Sequence, residues 1–230
     1  MSAISSLTQI GPQVADSDTA NAIRVHTGGA GLILGANERG RPVTVAFFRS
    51  EPTVATTIGQ LGLAQLIAFR ALALGAQLVV ATGRPSAWST FAGAASATRA
   101  GAVEIVPPHA PPERFGSSVR PFLFVVDSDS TAAVGSTPSV SGWSTVLTVR
   151  EQLTSWEAGP LGRADLVVAQ SLTPVESALL CKATNLPDYQ QAFSVLPDEA
   201  VAVITHDGVR WARTARTTLE RRVIGSLTPG

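Results

Sequence analysis

The stretch from Thr56 to Gln65, TTIGQLGLAQ, has the setting of a phosphate-binding loop: a β-branched run precedes it and an Ala/Leu-rich run follows. In a loop of the form G-x-x-x-x-G-K-[ST], backbone N–H groups cradle the phosphates, the lysine meets the terminal phosphates and the hydroxyl holds Mg²⁺. Counted back from Gly62, the first glycine falls on Thr57, the lysine on Leu63 and the hydroxyl residue on Ala64. A charge-assisted hydrogen bond is worth about 1.5–3 kcal/mol, so losing the lysine and the magnesium ligand together removes most of the affinity for ATP. No neighbouring lysine can stand in, because Lys182 is the only one in the chain. The second half of such a site is an acid at the end of an apolar strand. FLFVVDS supplies Asp127 there, but Ser128 stands where a catalytic glutamate would follow.

If the stretch serves some other ligand, the place for it is the edge beyond the carboxyl ends of the strands, where open α/β sheets bind small molecules. Thr57, Gly59, Gln60, Gly62, Arg84, Asp127 and Asp129 would line that edge. Arg84, in TGRP just after an apolar run, is the most suggestive cation, and Arg49 and Arg70 are the other arginines close in sequence. The remaining constellations are poorer. HTGGAG (26–31) is glycine-rich but precedes a strand, whereas a dinucleotide fingerprint must open a helix. His26, His109 and His206 are far apart, no G-x-S-x-G elbow is present, and a single Cys181 excludes an internal disulfide and a thiolate metal cluster. Trp88, Trp143, Trp156 and Trp211 are scattered, as core tryptophans usually are. The expectation is therefore no catalytic residue, no metal and no cofactor.

The composition narrows the partners. Charged residues make up 15% of the 230-residue chain and the formal net charge is zero. Nucleic-acid binding needs a basic stripe that displaces counterions, and none is visible. A neutral, charge-poor surface suits protein–protein contact and leaves homo-oligomers open. The start, MSAISSLTQIGPQVADSD, lacks the basic and apolar blocks of a signal peptide. LGLAQLIAFRALALGAQLVV is broken by Gln65, Arg70, Gly75 and Gln77, so it reads as a buried helix and strand and not as a membrane span. The expected location is cytoplasmic.

The elements that must position these residues follow from periodicity. Residues 1–20 read as a loosely held arm, and 21–230 as a single α/β domain. Strands are expected at 22–26, 31–36, 42–48, 54–58, 76–82, 103–107, 121–127, 144–149 and 164–170. Helices are expected at 61–74, 85–100 and 173–184; the last has Thr173 as cap, Pro174 at the first position and Glu176 completing a capping box. Residues 128–142 read as a small-residue loop. Asp207-Gly208 marks a hairpin over about 200–213. Strands alternating with helices give a three-layer αβα fold with a mostly parallel, RecA/P-loop-like sheet, and antiparallel hairpins at the N- and C-terminal ends.

GLILGANERGRPVTVAFF followed by PTVATTIGQLGLAQL resembles the FtsK/SpoIIIE-type motor domains, in which a strand pair "hhLG-x-x-x-x-G-x-P-h" precedes the strand, phosphate loop and helix. The type VII (ESX-like) secretion ATPases of actinobacteria belong to that family. FLFVVDS is similar to its Walker B strand, and ADLVVAQSLTPVESALL to a late strand and helix of the secretion ATPases. The arginine-rich, lysine-poor composition agrees with an actinobacterial host. Residue by residue, Gly62 matches a loop glycine and Asp127 the Walker B acid; Leu63, Ala64 and Ser128 depart from the lysine, hydroxyl and glutamate. The resemblance implies a pseudo-ATPase: a P-loop-like domain without ATP hydrolysis, acting through protein partners in or beside a type VII secretion complex. The rival reading is a small-molecule or nucleotide-binding sensor or enzyme that uses the carboxyl edge of the sheet.

Overall fold

A computed structural model of the chain describes residues 31–97, 101–111, 114–128 and 139–224. Its elements are β1 (Leu32–Ala36), β2 (Pro42–Val45), β3 (Thr53–Ile58), α1 (Leu61–Ala73), β4 (Gln77–Thr82), α2 (Pro85–Ser96), β5 (Val103–Val106), β6 (Phe122–Asp127) and β7 (Ser144–Arg150). They continue with α3 (Ser155–Leu161), β8 (Leu166–Ala169), α4 (Pro174–Thr184), a 3₁₀ turn (Pro187–Tyr189), α5 (Gln190–Ser194), β9 (Ala200–Thr205), β10 (Gly208–Arg213) and α6 (Thr218–Ile224).

The ten strands form one sheet in the order β2-β1-β10-β9-β8-β3-β7-β6-β4-β5. From β8 to β5 every pairing is parallel, and from β8 to β2 every pairing is antiparallel. The two hairpins from the N- and C-terminal parts of the chain therefore lie side by side at one end of the sheet. The continuous apolar runs explain the parallel centre. All six residues of β6 and all four of β8 are buried, as strands covered on both faces require.

Alternation along the strands sorts the core into two faces. On one, Ala55, Leu78, Leu123, Leu147 and Val168 pack with Leu63, Ile67 and Ala71 of α1, Trp88 and Phe91 of α2, and Val223 of α6. On the other, Ile58, Val167, Ala169 and Ala202 meet Leu161 of α3, Leu180 and Cys181 of α4, and Phe193 of α5. A third group, including Val79, Phe122, Phe124 and Val146, continues that second face under Val106 and Val140. Helices on both faces of a mostly parallel sheet give the expected three-layer αβα fold.

Some boundaries differ from the expected ones. The strand expected over 42–48 stops at Val45, although Phe47 beyond it is fully buried, and the helix expected over 85–100 ends at Ser96. Helices α3, α5 and α6 have no counterpart in the periodicity. The strand expected at 22–26, the 1–20 arm and Asp129 lie outside the described residues, as do 129–138 of the 128–142 loop. Trp88 is core, as expected, but Trp156, on α3, is 77% exposed. No helix among the described residues is long and apolar enough to cross a membrane.

Candidate functional site: the carboxyl edge of the parallel strands

Strands β3, β4, β6, β7 and β8 end in register. Ile58 pairs with Arg150 and Ala169, and Thr82 with Asp127. The edge they form carries most of the residues picked out by motif: Gly59, Gln60, Arg84 and Asp127.

The connection from β3 to α1 is much shorter than the motif count implies. Thr57, at the first-glycine position, lies inside β3, where it pairs with Val149 and Val168 and is 1% exposed. Gly62, at the second-glycine position, is the second residue of α1. Only Gly59 and Gln60 are left to join strand and helix. Gly59 adopts φ +140°, and its N–H donates to the Arg150 carbonyl at 2.8 Å. A Cβ on Gly59 would sit 2.4 Å from Oε1 of Gln170, so glycine is required by both backbone and space. The same Gln170 oxygen accepts from the Gln60 N–H at 2.7 Å. Gln170, just past the end of β8, thus lies against the connection and takes up one of its N–H groups. Leu63 and Ala64, at the lysine and hydroxyl positions, are buried in the core beneath α1. Side chains at these positions face the sheet, not the edge.

The acid is equally engaged. Asp127 is 2% exposed, and its carboxylate is surrounded by donors. Oδ1 accepts from the Arg84 guanidinium at 2.7 Å, and Oδ2 accepts from Arg84 Nε at 3.0 Å. The Trp88 indole N–H donates to Oδ2 at 2.6 Å and the Thr82 hydroxyl at 3.1 Å. Burial pushes this carboxyl's pKa up, but the Arg84, Trp88 and Thr82 hydrogen bonds and the Arg84 charge outweigh it and hold the group below its ordinary 3.8. Arg84 reaches onward to Glu151, and its hydrogen bond to Asp127 makes the guanidinium hold its proton more tightly than usual. One arginine therefore ties the ends of β4 and β6 to the connection after β7.

The neighbouring strand end repeats the device. Arg150 pairs with Glu157 on α3 at 2.9 Å and donates to the carbonyls of Ser128 and Val149. Glu176 on α4 accepts from the Leu153 N–H at 2.9 Å while closing its own capping box with Thr173. Ser128 is buried, and its hydroxyl has no hydrogen-bond partner among the described residues. No group of three or more metal-ligating side chains occurs among the described residues.

Sequence reasoning picked out Arg84 and Asp127 separately. It missed that they are partners, and it missed Trp88, Arg150, Glu151 and Gln170. Trp88 is four residues after Arg84, one helical turn on, and that spacing was the available signal.

No family model matches the sequence, and no curated protein matches it. Among solved structures, the genome packaging NTPase B204 from Sulfolobus turreted icosahedral virus 2 in complex with AMP aligns over 72% of this chain and 98% of its own, at 9% identity and a TM-score of 0.49. The same protein in complex with AMPPCP aligns over 71% and 98%, at 10% identity and a TM-score of 0.48. B204, the DNA-packaging ATPase from Sulfolobus Turreted Icosahedral Virus, aligns over 71% and 98%, at 9% identity and a TM-score of 0.48.

Proposed function

We propose that this domain is a pseudo-ATPase: a P-loop-like fold that does not turn over nucleotide and serves as an interaction or scaffold component associated with a type VII secretion system. The two-residue connection between β3 and α1 is the observation that carries the first half of the reading. Two residues offer too few N–H groups to wrap a phosphate, and the lysine and hydroxyl positions are apolar and buried. The state of Asp127 supports the same reading, since a carboxylate with four donor groups around it has little capacity left for a hydrated metal ion. Calorimetry with Mg-ATP is expected to show no binding tighter than millimolar, and a phosphate-release assay no turnover. Micromolar affinity would overturn this half.

The second half, association with type VII secretion through protein partners, is supported by the resemblance of residues 31–48, 52–66, 122–128 and 164–180 to the motor ATPases of that family. A neutral, charge-poor composition is compatible with such contacts. The tagged chain should co-purify from its host with a type VII motor ATPase and not with an unrelated P-loop ATPase. Its absence from every such complex would remove the association and leave the pseudo-ATPase reading untouched. The rival small-molecule reading, at the same edge, is less well served, because Arg84 is already engaged by Asp127 and Glu151.

A further inference from the structure

At the antiparallel end of the sheet, away from the carboxyl edge, lies an open groove of about 820 Å³. Its floor is Trp211, Ala212 and Arg213 of β10. One wall is the turn after β1, with Asn37 and Glu38, and the other is the connection after α5, with Val195 and Leu196. The volume lies within the range of about 300–1,000 Å³ typical of ligand pockets. Alanines at 36, 192, 200 and 215 line the groove with small side chains, while the Ala212 side chain turns into the core on the other face of the sheet. Gly35 lets β1 and β10 approach: a Cβ there would stand 2.1 Å from the Arg213 carbonyl oxygen.

The polar groups of this groove are of one kind. The guanidinium of Arg213, the indole N–H of Trp211 and the amide N–H groups of Asn37 are all donors. None of them has a hydrogen-bond partner among the described residues. The Asn37 side-chain oxygen, by contrast, is already used by the N–H groups of Arg39 and Arg41. Three donor groups beside an apolar, alanine-lined trough match a ligand with an apolar body and one anionic acceptor. Glu38, exposed on the same wall, disfavours a ligand of higher negative charge such as a phosphate. The Trp211 ring is braced from behind by Phe193 and Tyr189, with centroids at 5.7 and 6.3 Å, so little ordering is needed on binding. The groove is partly open to solvent, so the end of a longer chain can enter it while the remainder stays outside.

We propose that this groove binds an apolar peptide terminus of a protein partner, with the terminal carboxylate on Arg213 and the apolar side chains on Trp211, Val195 and Leu196. The inference goes beyond the pseudo-ATPase reading and does not depend on it, since the groove and the carboxyl edge share no residue. The test uses the full chain, ¹⁵N-labelled, with the Trp211 indole signal assigned by comparison with Trp211→Phe. The probes are acetyl-Leu-Leu-Phe with a free carboxylate and the same peptide as its C-terminal amide. The free acid should move the Trp211 indole signal saturably, while the amide binds about tenfold more weakly, the loss of one charge-assisted hydrogen bond. Arg213→Gln, at an exposed position, should weaken the acid by a similar factor and leave the amide unchanged. Calorimetry with the same two peptides gives a second readout should Trp211→Phe fail to fold. Equal binding of acid and amide, indifference to Arg213→Gln, or no binding of the acid at millimolar concentration would each overturn the proposal.

Discussion

At the carboxyl edge of the parallel strands, Arg84, Asp127, Glu151, Arg150, Glu157, Gln170 and Glu176 are bonded to one another or to backbone. At the antiparallel end, Arg213, Trp211 and the Asn37 amide surround a groove with their donors unspent. The edge that carries the loop-like stretch has thus turned its polar groups inward, while the groove at the other end of the sheet offers its own outward. The difference teaches where a polar group is spent: a buried one satisfied by its neighbours supports the fold, and one left over is available to a ligand.

The largest effect should come from removing the acid. Asp127→Ala leaves the indole N–H of fully buried Trp88 without an acceptor and Arg84 with Glu151 alone. A loss of about 3 kcal/mol in urea unfolding is expected, the lower end of the range for a broken buried pair because Arg84 keeps a partner near solvent. A loss under 1 kcal/mol would mean that the edge is not held by this cluster.

Restoring the motif should fail in an informative way. Leu63→Lys with Ala64→Thr puts an ammonium and a hydroxyl into the core beneath α1, where the two native side chains are 1% and 0% exposed. Destabilisation of about 2–4 kcal/mol is expected from the unpaired polar groups and lost packing, with no gain of ATP affinity by calorimetry. ATP binding by the double variant would show that the short connection can open into a loop.

Acid should weaken the paired carboxylates at both ends of the molecule, Asp127 and Glu176 at the carboxyl edge and Glu220, through Arg70, beside the Ala215 wall of the groove. Burial pushes the carboxyls of Asp127, Glu176 and Glu220 up, but their hydrogen bonds outweigh it: Arg84 foremost for Asp127, Leu153 for Glu176 and Arg70 for Glu220 hold them below the ordinary values. A carboxyl whose native pKa is depressed adds stability above its unfolded pKa and loses it as pH falls toward the native one. Stability to urea should therefore fall as the pH drops through 4.5 for the two glutamates and 3.8 for Asp127. Asp127→Asn should show a shallower fall over the lower part of that window. The smallest effect belongs to the groove. Arg213→Gln removes no internal partner, so its unfolding midpoint should match the parent within about 0.5 kcal/mol.

Legibility from sequence followed the strength of the period. The uninterrupted apolar runs of β4, β6 and β8 and the Thr173–Pro174–Glu176 start of α4 announce themselves, because burial on both faces and helix capping leave local marks. Helix α3 was hidden by Gly159 and Pro160 within SWEAGPL, although Thr154 and Glu157 form the capping box that marks its start. Helix α6 has a comparable mark in Thr217 and Glu220, whose side chains each accept the other's backbone N–H. At the edge, the motif count found the right strand and helix but assumed a loop of standard length. The period itself puts Thr57 in a strand over 54–58 and Gly62 in a helix over 61–74, and the pairing of Thr57 with Val149 and Val168 bears this out against the motif count. The groove left no mark, since Ala36, Val195 and Arg213 meet only through the sheet order.

That order also bears on how the molecule comes into being. β10 pairs with β9 on one side and with β1 on the other, at Ala36 and Arg213. The antiparallel end is thus closed by contacts between an early and a late part of the chain, and contacts of such long sequence separation form slowly. While the chain is still being synthesised, β1 and β2 can pair with each other, but their hairpin must wait for the parallel sheet and for β10 before it joins the rest of the sheet. The groove therefore forms only once β10 has docked beside β1, and whatever binds there would recognise the assembled sheet and ignore chains in which that pairing is unmade.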